Sequence, residues 1–402
     1  MPELWYRALL HVVARIYYRR VRVVRLTPFS AGERPVLYVG LHRNGAVDGI
    51  LYKSAFPRAV FLISRQLVRS WFARLFFTGI PVTRDKDEHE PSSRRDNARA
   101  LATAVDHVVA GGDLFVFPEG TSDLGPRHLP FKPGAAKVLA GAMERGVTPV
   151  VLPLGIFYEA APTFRSDVCI VVGAPIDVAQ CAAIEDQRRQ VAALMARITT
   201  GLEEIAVEAT DACALRRIET LAALADDDMG ETRWRRQRTL AARTLPAPVD
   251  ERWRHLAREI ETRRTAVDRA GIPRFSRRGA IWNAGWIGVQ LLLVSLAFLG
   301  NWFPLAAAWR AGRQLSDAPN TIAIWRILIG VPVTAVWWLG IAIAATAWRS
   351  AWLLPAYAAI TLLGLVAYPE LCERWPKLSN SFRNASRDDV AAIAGWVRDV
   401  AA

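Results

Sequence analysis

The sequence predicts an α/β domain with a mostly buried sheet, followed by a helical spacer and a C-terminal membrane helix region. Short apolar, β-branched runs alternate with helical patterns between about residues 34 and 176, which is typical of α/β domains. After residue 278 three uncharged stretches occur, at 281–300, 327–347 and 351–368. Each is close to the ~20 residues that a bilayer core requires.

These patterns divide the chain into four parts. Residues 1–33 form an N-terminal amphipathic helix region, and 34–180 form the α/β domain. Residues 181–278 form a charged helical spacer, and 279–402 form a membrane-embedded region with two or three hydrophobic segments and a short tail.

Composition points to a membrane and an anionic partner. The 402 residues are 52% hydrophobic, with a mean hydropathy of +0.15, which is high for a soluble enzyme. The formal net charge is +13. Basic chains bind nucleic acid, anionic membranes or anionic substrates, and the shared hydrophobic excess favours anionic membrane lipid over nucleic acid. The four cysteines are scattered, which predicts free thiols and no metal site.

The first 20 residues predict an amphipathic helix. Apolar residues recur every three to four positions from Leu4 to Tyr17, whereas Arg7, His11 and Arg15 occupy another face. Arginines interrupt any apolar core of a signal peptide. Two interpretations stay open: a helix packed on the domain, or an interfacial helix lying on anionic headgroups.

The α/β region contains six candidate strands and four candidate helices. The strands are 36–39, 60–64, 79–82, 113–118, 150–154 and 168–172, and the helices are 48–56, 66–77, 92–110 and 133–145.

The membrane region has two possible topologies. Arginines flank the hydrophobic segments, and cytoplasmic loops favour basic residues. A first segment that re-enters near Asn301 and Pro304, followed by a helical hairpin turning at Arg349 and Ser350, places nearly all basic clusters in the cytoplasm. The alternative is three full spans, in which one basic loop lies on the side opposite to the cytoplasm. Either way we expect an integral membrane protein whose α/β domain lies on the cytoplasmic face.

A candidate catalytic pair follows the first buried strand. The run from Val36 ends at Gly40, and His42 comes next, with Asp48 six residues after it. Ligands in open α/β sheets bind outside the carboxyl ends of the strands. A nearby carboxylate would hold the imidazole in one tautomer and stabilise its protonated form.

Four further blocks follow in order: Gly-Ile-Pro-Val-Thr-Arg at 79–84, Phe-Pro-Glu-Gly-Thr-Ser at 117–122, Phe-Lys-Pro-Gly-Ala-Ala at 131–136, and Thr-Pro-Val-Val-Leu-Pro-Leu at 148–154. Together with His42 and Asp48 these blocks resemble the glycerophospholipid acyltransferase family over residues 34–177. They are most similar to the fungal-type glycerol-3-phosphate/dihydroxyacetone-phosphate acyltransferase branch and its bacterial relatives. That branch shares the His-x-Asn-x-x-Val-Asp spacing, a Phe-Arg-Ser at 164–166, and the strand at 171–176.

The resemblance implies a division of roles. His42 would be the general base that deprotonates a glycerol hydroxyl, and Asp48 would orient it. Arg84 would hold the acceptor's phosphate, for which a guanidinium fork is well suited. Substrate-binding roles are implied for Arg84, Glu119, Gly120, Thr121, Ser122, Lys132, Arg165 and Asn44.

Two departures from the wider family concern spacing and the acceptor. Most members have four residues between His and Asp, whereas this chain has five, an insertion that Gly45 can absorb. Many members carry an arginine after Phe-Pro-Glu-Gly-Thr, where this chain has Ser122. The acceptor is therefore left open between glycerol-3-phosphate and lysophosphatidic acid.

The resemblance implies an acyl-CoA or acyl-carrier protein donor as co-substrate and no further cofactor. Expected partners are this donor, the glycerol-phosphate or lysophospholipid acceptor and anionic membrane lipid, with no nucleic acid. The alternative function is a catalytically silent membrane-binding or scaffolding module of the same fold.

Overall fold

A computed structural model describes residues 2–29, 32–68, 74, 76–82, 92–225, 229–263, 277–381 and 387–400. The chain divides into two compact units, Met1–Thr210 and Asp211–Ala402. The first unit contains the sheet of the predicted α/β domain, and the second is helical throughout its described part.

The first unit is built on a mixed seven-stranded sheet in the order β1-β7-β6-β2-β5-β3-β4. Strands β6, β2, β5, β3 and β4 run parallel, whereas β7 pairs with β6 in antiparallel fashion and β1 pairs in parallel with β7. The strands are β1 Arg20–Arg25, β2 Val36–Gly40, β3 Val60–Ser64, β4 Ile80–Val82, β5 Leu114–Val116, β6 Val150–Tyr158 and β7 Asp167–Val172.

Five α-helices lie in the described part of this unit: α1 Pro2–His11, α2 Ala46–Ala55, α3 Ser92–Val109, α4 Gly134–Glu144 and α5 Gln187–Glu203. A π-helical turn, Val12–Tyr17, continues α1. All residues of β2, β5 and β7 are buried, because these central strands are covered on both faces, as parallel sheets in α/β proteins are. The prediction of a mostly buried sheet is confirmed.

Strand β1 lies inside the segment that the sequence analysis assigned to an interfacial helix. It is an edge strand of intermediate burial that alternates arginine and valine. Asp167, at the start of β7, anchors it: both carboxylate oxygens accept hydrogen bonds from Arg19, and Oδ2 also accepts from Arg20. Burial acts to raise the pKa of Asp167, but the hydrogen bonds and charges of the two arginines outweigh it, and the pKa is lowered.

Asp167→Asn is expected to destabilise the first unit by about 3 kcal/mol at neutral pH, because it leaves the arginines without a buried counter-charge. Because the pKa of Asp167 is lowered in the native state, its stabilisation of the fold is fully present above the ordinary aspartate pKa of about 3.9. This stabilisation is lost as pH falls through the native pKa. Thermal unfolding of both proteins between pH 3 and 7 should therefore show a difference that shrinks towards acid.

Asp106→Asn is the matched control. Asp106 pairs with Arg145, but both side chains are largely exposed, at 67% and 49%. An exposed pair contributes roughly 0–1 kcal/mol. Equal destabilisation by the two substitutions would contradict the anchoring role of Asp167.

The second unit contains eight helices in its described part: α6 Ala212–Ala225, α7 Glu231–Ala241, α8 Ala247–Arg263, α9 Arg277–Gly300, α10 Trp302–Gln314, α11 Ile322–Ala347, α12 Leu353–Ser381 and α13 Arg387–Val400. Three of the described helical stretches are long and apolar enough to span a membrane, Arg278–Gly300, Pro319–Ala347 and Leu353–Ser379. They contain the predicted uncharged stretches 281–300 and 327–347 and all but the first two residues of 351–368.

Helices α9 and α12 run antiparallel. Near the start of α9, Asn283 Oδ1 accepts a hydrogen bond of 2.6 Å from Arg374, which lies near the end of α12. At the other end, the hydroxyl of Tyr357, near the start of α12, donates to the carbonyl oxygen of Gly300 at 3.4 Å.

Helices α10 and α11 also run antiparallel. A Cβ on Gly312, near the end of α10, would lie 2.8 Å from Arg326 Cγ near the start of α11. The rings of Phe303 and Trp337 are 5.7 Å apart at the other end of α10. Because the short turn at 348–352 joins α11 to α12 in a hairpin, these pairings require the chain to reverse between α9 and α10, at Asn301.

Candidate active site

Three neighbouring strands deliver polar side chains to one edge of the sheet. Strands β6, β2 and β5 are adjacent and parallel, so their carboxyl ends lie at the same edge. His42 follows the end of β2, Glu119 follows the end of β5, and Tyr158 is the last residue of β6. This edge is where open α/β sheets bind their ligands.

His42 and Asp48 are in direct contact. His42 Nδ1 lies 2.9 Å from Asp48 Oδ2, and the exposed fractions of the two side chains are 15% and 0%. Since Nδ1 faces a carboxylate, we assign the proton to Nδ1, which leaves the lone pair on Nε2. Phe117 stacks on the imidazole at a centroid distance of 4.1 Å. The ring is thus fixed by one hydrogen bond and one aromatic face.

The loop between β2 and α2 is folded around Asp48. Asp48 lies in the first turn of α2, and its Oδ2 also accepts from the backbone N–H groups of Arg43 at 2.6 Å and Asn44 at 2.8 Å. Gly45 precedes α2 with φ 56° and ψ −148°, a conformation essentially restricted to glycine. This glycine therefore accommodates the five-residue spacing between His42 and Asp48.

Glu119 holds the backbone on both sides of the site. It is 1% exposed. Its Oε1 accepts from the His42 backbone N–H at 2.7 Å, and its Oε2 accepts from the Leu129 backbone N–H at 2.8 Å. Burial raises the pKa of Glu119, although these two hydrogen bonds act in the opposite direction. The carboxyl group expected to shape the acceptor pocket therefore fixes the main chain of the catalytic histidine candidate.

Gly120 and Lys132 are close together beside this carboxyl group. Gly120 has φ 68°, and a Cβ there would lie 3.1 Å from Lys132 Nζ. The positive φ therefore favours glycine at this position. The Lys132 backbone N–H donates to the Pro118 carbonyl oxygen at 2.7 Å, which ties the lysine to the turn that carries Glu119. Lys132 therefore lies beside the turn that carries Glu119, and its role in substrate binding stays a prediction.

Two predicted substrate-binding residues have other partners in the structure. Asn44 is fully buried, and its Nδ2 donates to the Tyr18 hydroxyl at 2.9 Å and the Ala161 carbonyl oxygen at 3.2 Å. The amide therefore braces the loop from inside and does not line an open surface. The Arg165 guanidinium donates to the carbonyl oxygen of Arg15 at 2.7 Å, in the π-helical turn, and its expected place at the acceptor's phosphate stays a prediction.

Three predicted substrate-binding residues remain: Thr121, Ser122 and Arg84. Thr121 and Ser122 follow Gly120 in the same irregular segment and are partly exposed. Arg84 lies outside the described residues, two positions beyond the end of β4. Within the described ranges no group of three or more His, Cys, Asp or Glu side chains is placed to hold a metal ion.

Sequence reasoning missed two residues of the site. The hydroxyl of Tyr158 donates to Asp48 Oδ1. The guanidinium of Arg43 donates to the carbonyl oxygens of Gly125 at 2.5 Å and Arg127 at 3.3 Å, and so holds the loop that leads to Leu129. The available signal for Tyr158 was its place at the end of an apolar run next to the His42 strand.

The arrangement is suited to removing a proton from an alcohol. The imidazole is steadied by a buried carboxylate at Nδ1, and among the described residues no hydrogen-bond partner occupies Nε2. Such a pair takes up a proton at Nε2 while the carboxylate stabilises the resulting positive charge.

Comparison with known proteins gives a matching domain and two curated relatives. Residues 20–156 match the protein-family model described as Acyltransferase. Over 121 residues, 29% of the chain, it is 32% identical to Glycerol-3-phosphate O-acyltransferase 2 of Saccharomyces cerevisiae. Over 137 residues, 32% of the chain, it is 29% identical to Glycerol-3-phosphate O-acyltransferase 1 of the same yeast. The chain spans 16% and 18% of the lengths of these relatives.

A solved structure described as the 1-acyl-sn-glycerophosphate (LPA) acyltransferase PlsC from Thermotoga maritima was also found. It aligns with 51% of this chain and 78% of its own, at 20% sequence identity and a TM-score of 0.32.

Proposed function

We propose that this chain moves a fatty acyl group from acyl-CoA or acyl-carrier protein to a hydroxyl of glycerol-3-phosphate or lysophosphatidic acid. The proposal starts from its domain of the glycerophospholipid acyltransferase family at residues 20–156. The observation that carries the proposal is the 2.9 Å contact between His42 Nδ1 and the buried carboxylate of Asp48, at the carboxyl edge of the sheet.

In the proposed reaction His42 Nε2 takes the proton of the acceptor hydroxyl as its oxygen attacks the thioester carbon. The C–O bond forms, the C–S bond breaks, and the proton passes from the imidazolium to the departing thiolate. Asp48 stabilises the imidazolium between the two transfers. Proton transfer of this kind typically contributes about 10² to 10⁴ in rate.

The acceptor's phosphate would be met by cations close to this pair. Lys132 Nζ lies beside Gly120, in the turn that follows β5. We retain Arg84, which follows β4 in the sequence, as the second phosphate ligand. Thr121 and Ser122 would complete the acceptor pocket. A phosphate oxygen can accept hydrogen bonds from both kinds of cation.

The test is an activity assay on the full chain purified in detergent. Acyl-CoA and acyl-carrier protein are each offered as donor, with glycerol-3-phosphate and lysophosphatidic acid as acceptors. Transfer to at least one acceptor is expected. Lipid binding without transfer to either acceptor from either donor would overturn the proposal and favour the catalytically silent membrane module.

We further propose that α9, α11 and α12 are embedded in a membrane whose cytoplasmic face lies at the basic end of the helices. Only 6% of the residues in the most apolar window of α11 are buried within the protein, so its apolar side chains need lipid. The antiparallel pairings gather Arg278, Arg310, Arg313, Arg326, Arg374 and Lys377 towards one end. Arg349 lies at the other, in the turn after α11. Cytoplasmic loops favour such basic clusters.

Cysteine labelling in sealed membrane vesicles tests this orientation. In a background from which the four native cysteines are removed, Gln314→Cys after α10 and Ala351→Cys after α11 should react with an impermeant maleimide from opposite sides. Gln314→Cys should react from the cytoplasmic side. Reaction of Gln314→Cys from the non-cytoplasmic side, with Ala351→Cys reacting from the cytoplasmic side, would contradict the reversal at Asn301. Labelling of both from one side would contradict a membrane span by α11.

A further inference from the structure

The carboxylate of Asp48 receives different partners on its two oxygens. Oδ2 accepts from the His42 imidazole and from the backbone N–H groups of Arg43 and Asn44. Oδ1 accepts from the hydroxyl of Tyr158, its one hydrogen-bond donor within the described chain. Asp48 is 0% exposed. The charge on Oδ1 is therefore stabilised by a single side chain from another part of the sequence, 110 residues away.

Tyr158 is built to donate to that oxygen. It ends β6, where it pairs with Val168 of β7, and its ring packs against that of Tyr18 at 5.7 Å between centroids. Burial, with the negative charge of Asp48, holds the pKa of Tyr158 well above its ordinary value of 10.0. The phenol therefore keeps its proton across the range in which a histidine titrates.

Tyr18 extends the same support towards the loop. Its hydroxyl donates to the Ala161 carbonyl oxygen at 2.9 Å and accepts from Asn44 Nδ2 at 2.9 Å. The Asn44 backbone N–H also donates to Asp48 Oδ2. Tyr158 therefore holds one carboxylate oxygen directly, and Tyr18 supports the other oxygen through Asn44.

We propose that Tyr158 is a positioning residue that sets the orientation and the basicity of the His42–Asp48 pair through its hydrogen bond to Asp48 Oδ1. The inference rests on the proposed function, in which His42 is the general base. Tyr158 does not touch the substrate: it acts by spreading the negative charge of the carboxylate and by fixing the rotation of its plane.

The sign of the effect follows from the charge. In Tyr158→Phe, Oδ1 has no donor in an apolar pocket, so more negative charge falls on Oδ2 and the imidazolium of His42 is stabilised. Histidine must be neutral to act as base, so the acid limb of kcat/KM should move up by about one pH unit. Because the rotation of the Asp48 carboxylate would no longer be fixed, kcat should also fall about 10-fold, with little change in KM for the acceptor.

The experiment measures the pH dependence of kcat/KM for the full chain in detergent, in wild type, Tyr158→Phe and Tyr52→Phe. Tyr52 is the control tyrosine, because it is fully buried and directs its hydroxyl to the carbonyl oxygens of Leu41 and Leu154, at 3.3 and 3.4 Å, and not to Asp48. Its loss should leave the acid limb in place. An unchanged acid limb in Tyr158→Phe, or the same shift in both variants, would overturn the proposal.

Two further measurements keep the inference separate from the proposed function and from simple misfolding. The pH dependence of His42 carbethoxylation by diethyl pyrocarbonate, assigned with His42→Ala, reports the basicity of His42 without turnover and should show the same upward shift. Tyr158→3-fluorotyrosine keeps the ring and donates more strongly, so the limb should move down. If the wild type transfers no acyl group, the proposed function fails, whereas the carbethoxylation profiles still decide the role of Tyr158.

Discussion

His42→Ala is expected to reduce acyl transfer by about 10² to 10⁴, because it removes the proposed general base. The His42 side chain is partly open at 15% exposure, and Nδ1 contacts the carboxylate of Asp48. The loss should appear in kcat more than in the KM for the acceptor, since the proposed phosphate ligands are unchanged in this variant. Initial rates with saturating donor and a range of acceptor concentrations measure it.

His107→Ala is the matched control for this prediction. His107 and Asp113 have the same six-residue separation as His42 and Asp48. In the structure, however, His107 Nε2 faces the backbone carbonyl oxygen of Asp113 at 3.0 Å, at the end of α3. Its replacement should leave acyl transfer intact. Equal losses in both variants, or full activity in His42→Ala, would remove His42 from the reaction.

The central strands were predictable because each is a short, mostly apolar run. The run at 60–64 coincides with β3, and the run from Val36 with β2. Strand β1 was missed because its arginines interrupt the apolar pattern. It is an edge strand whose side chains are mostly half-buried, so the period of two was the available signal. Distant pairing with β7 decides its place, and a local pattern does not encode such pairing.

The candidate catalytic pair was predictable because its members are only six residues apart, in the loop after β2 and the first turn of α2, whereas Tyr158 required the tertiary structure. The predicted strand 150–154 stopped four residues early, because Gly155 weakens a strand pattern. In the structure the strand continues to Tyr158. Register with β2 then brings that residue to the edge where Asp48 lies, a fact that depends on pairing across more than 100 residues of sequence.

The same limit applies to residues assigned by resemblance. Asn44 and Arg165 match the motif of the fungal-type branch, but their side chains bind the protein's own carbonyl and hydroxyl groups. A motif identifies positions that a fold requires, and it does not separate groups that touch a ligand from groups that hold the loop. Burial and hydrogen-bond partners make that separation.

Glu119→Gln is expected to lower both stability and activity, although the two side chains have nearly the same shape. The carboxyl group uses one oxygen for the His42 N–H and the other for the Leu129 N–H. An amide offers one oxygen and one NH₂ group, so one of these buried N–H groups faces a second donor. The expected cost is about 1–3 kcal/mol of stability, measured by thermal unfolding.

The loss of activity in this variant should come from geometry. His42 and Leu129 lie on opposite sides of Glu119, so releasing either backbone N–H lets the imidazole or the neighbouring loop shift. A misplacement of about 1 Å can reduce the rate about 10²-fold. If Glu119 instead contacted the acceptor alone, the loss would appear in KM with no change in unfolding, and this result would contradict the tethering role.

The pH dependence of stability separates the two interpretations further. Because burial raises the pKa of Glu119 above its ordinary value, the native state holds this proton more tightly than the unfolded chain. The stabilisation that comes from binding this proton is therefore complete below the ordinary glutamate pKa of about 4.3. It is lost as pH rises through the native pKa of Glu119. Wild type should lose stability across that window relative to Glu119→Gln, which has no titrating group there. A Glu119 that faced open solvent would give the two proteins parallel profiles.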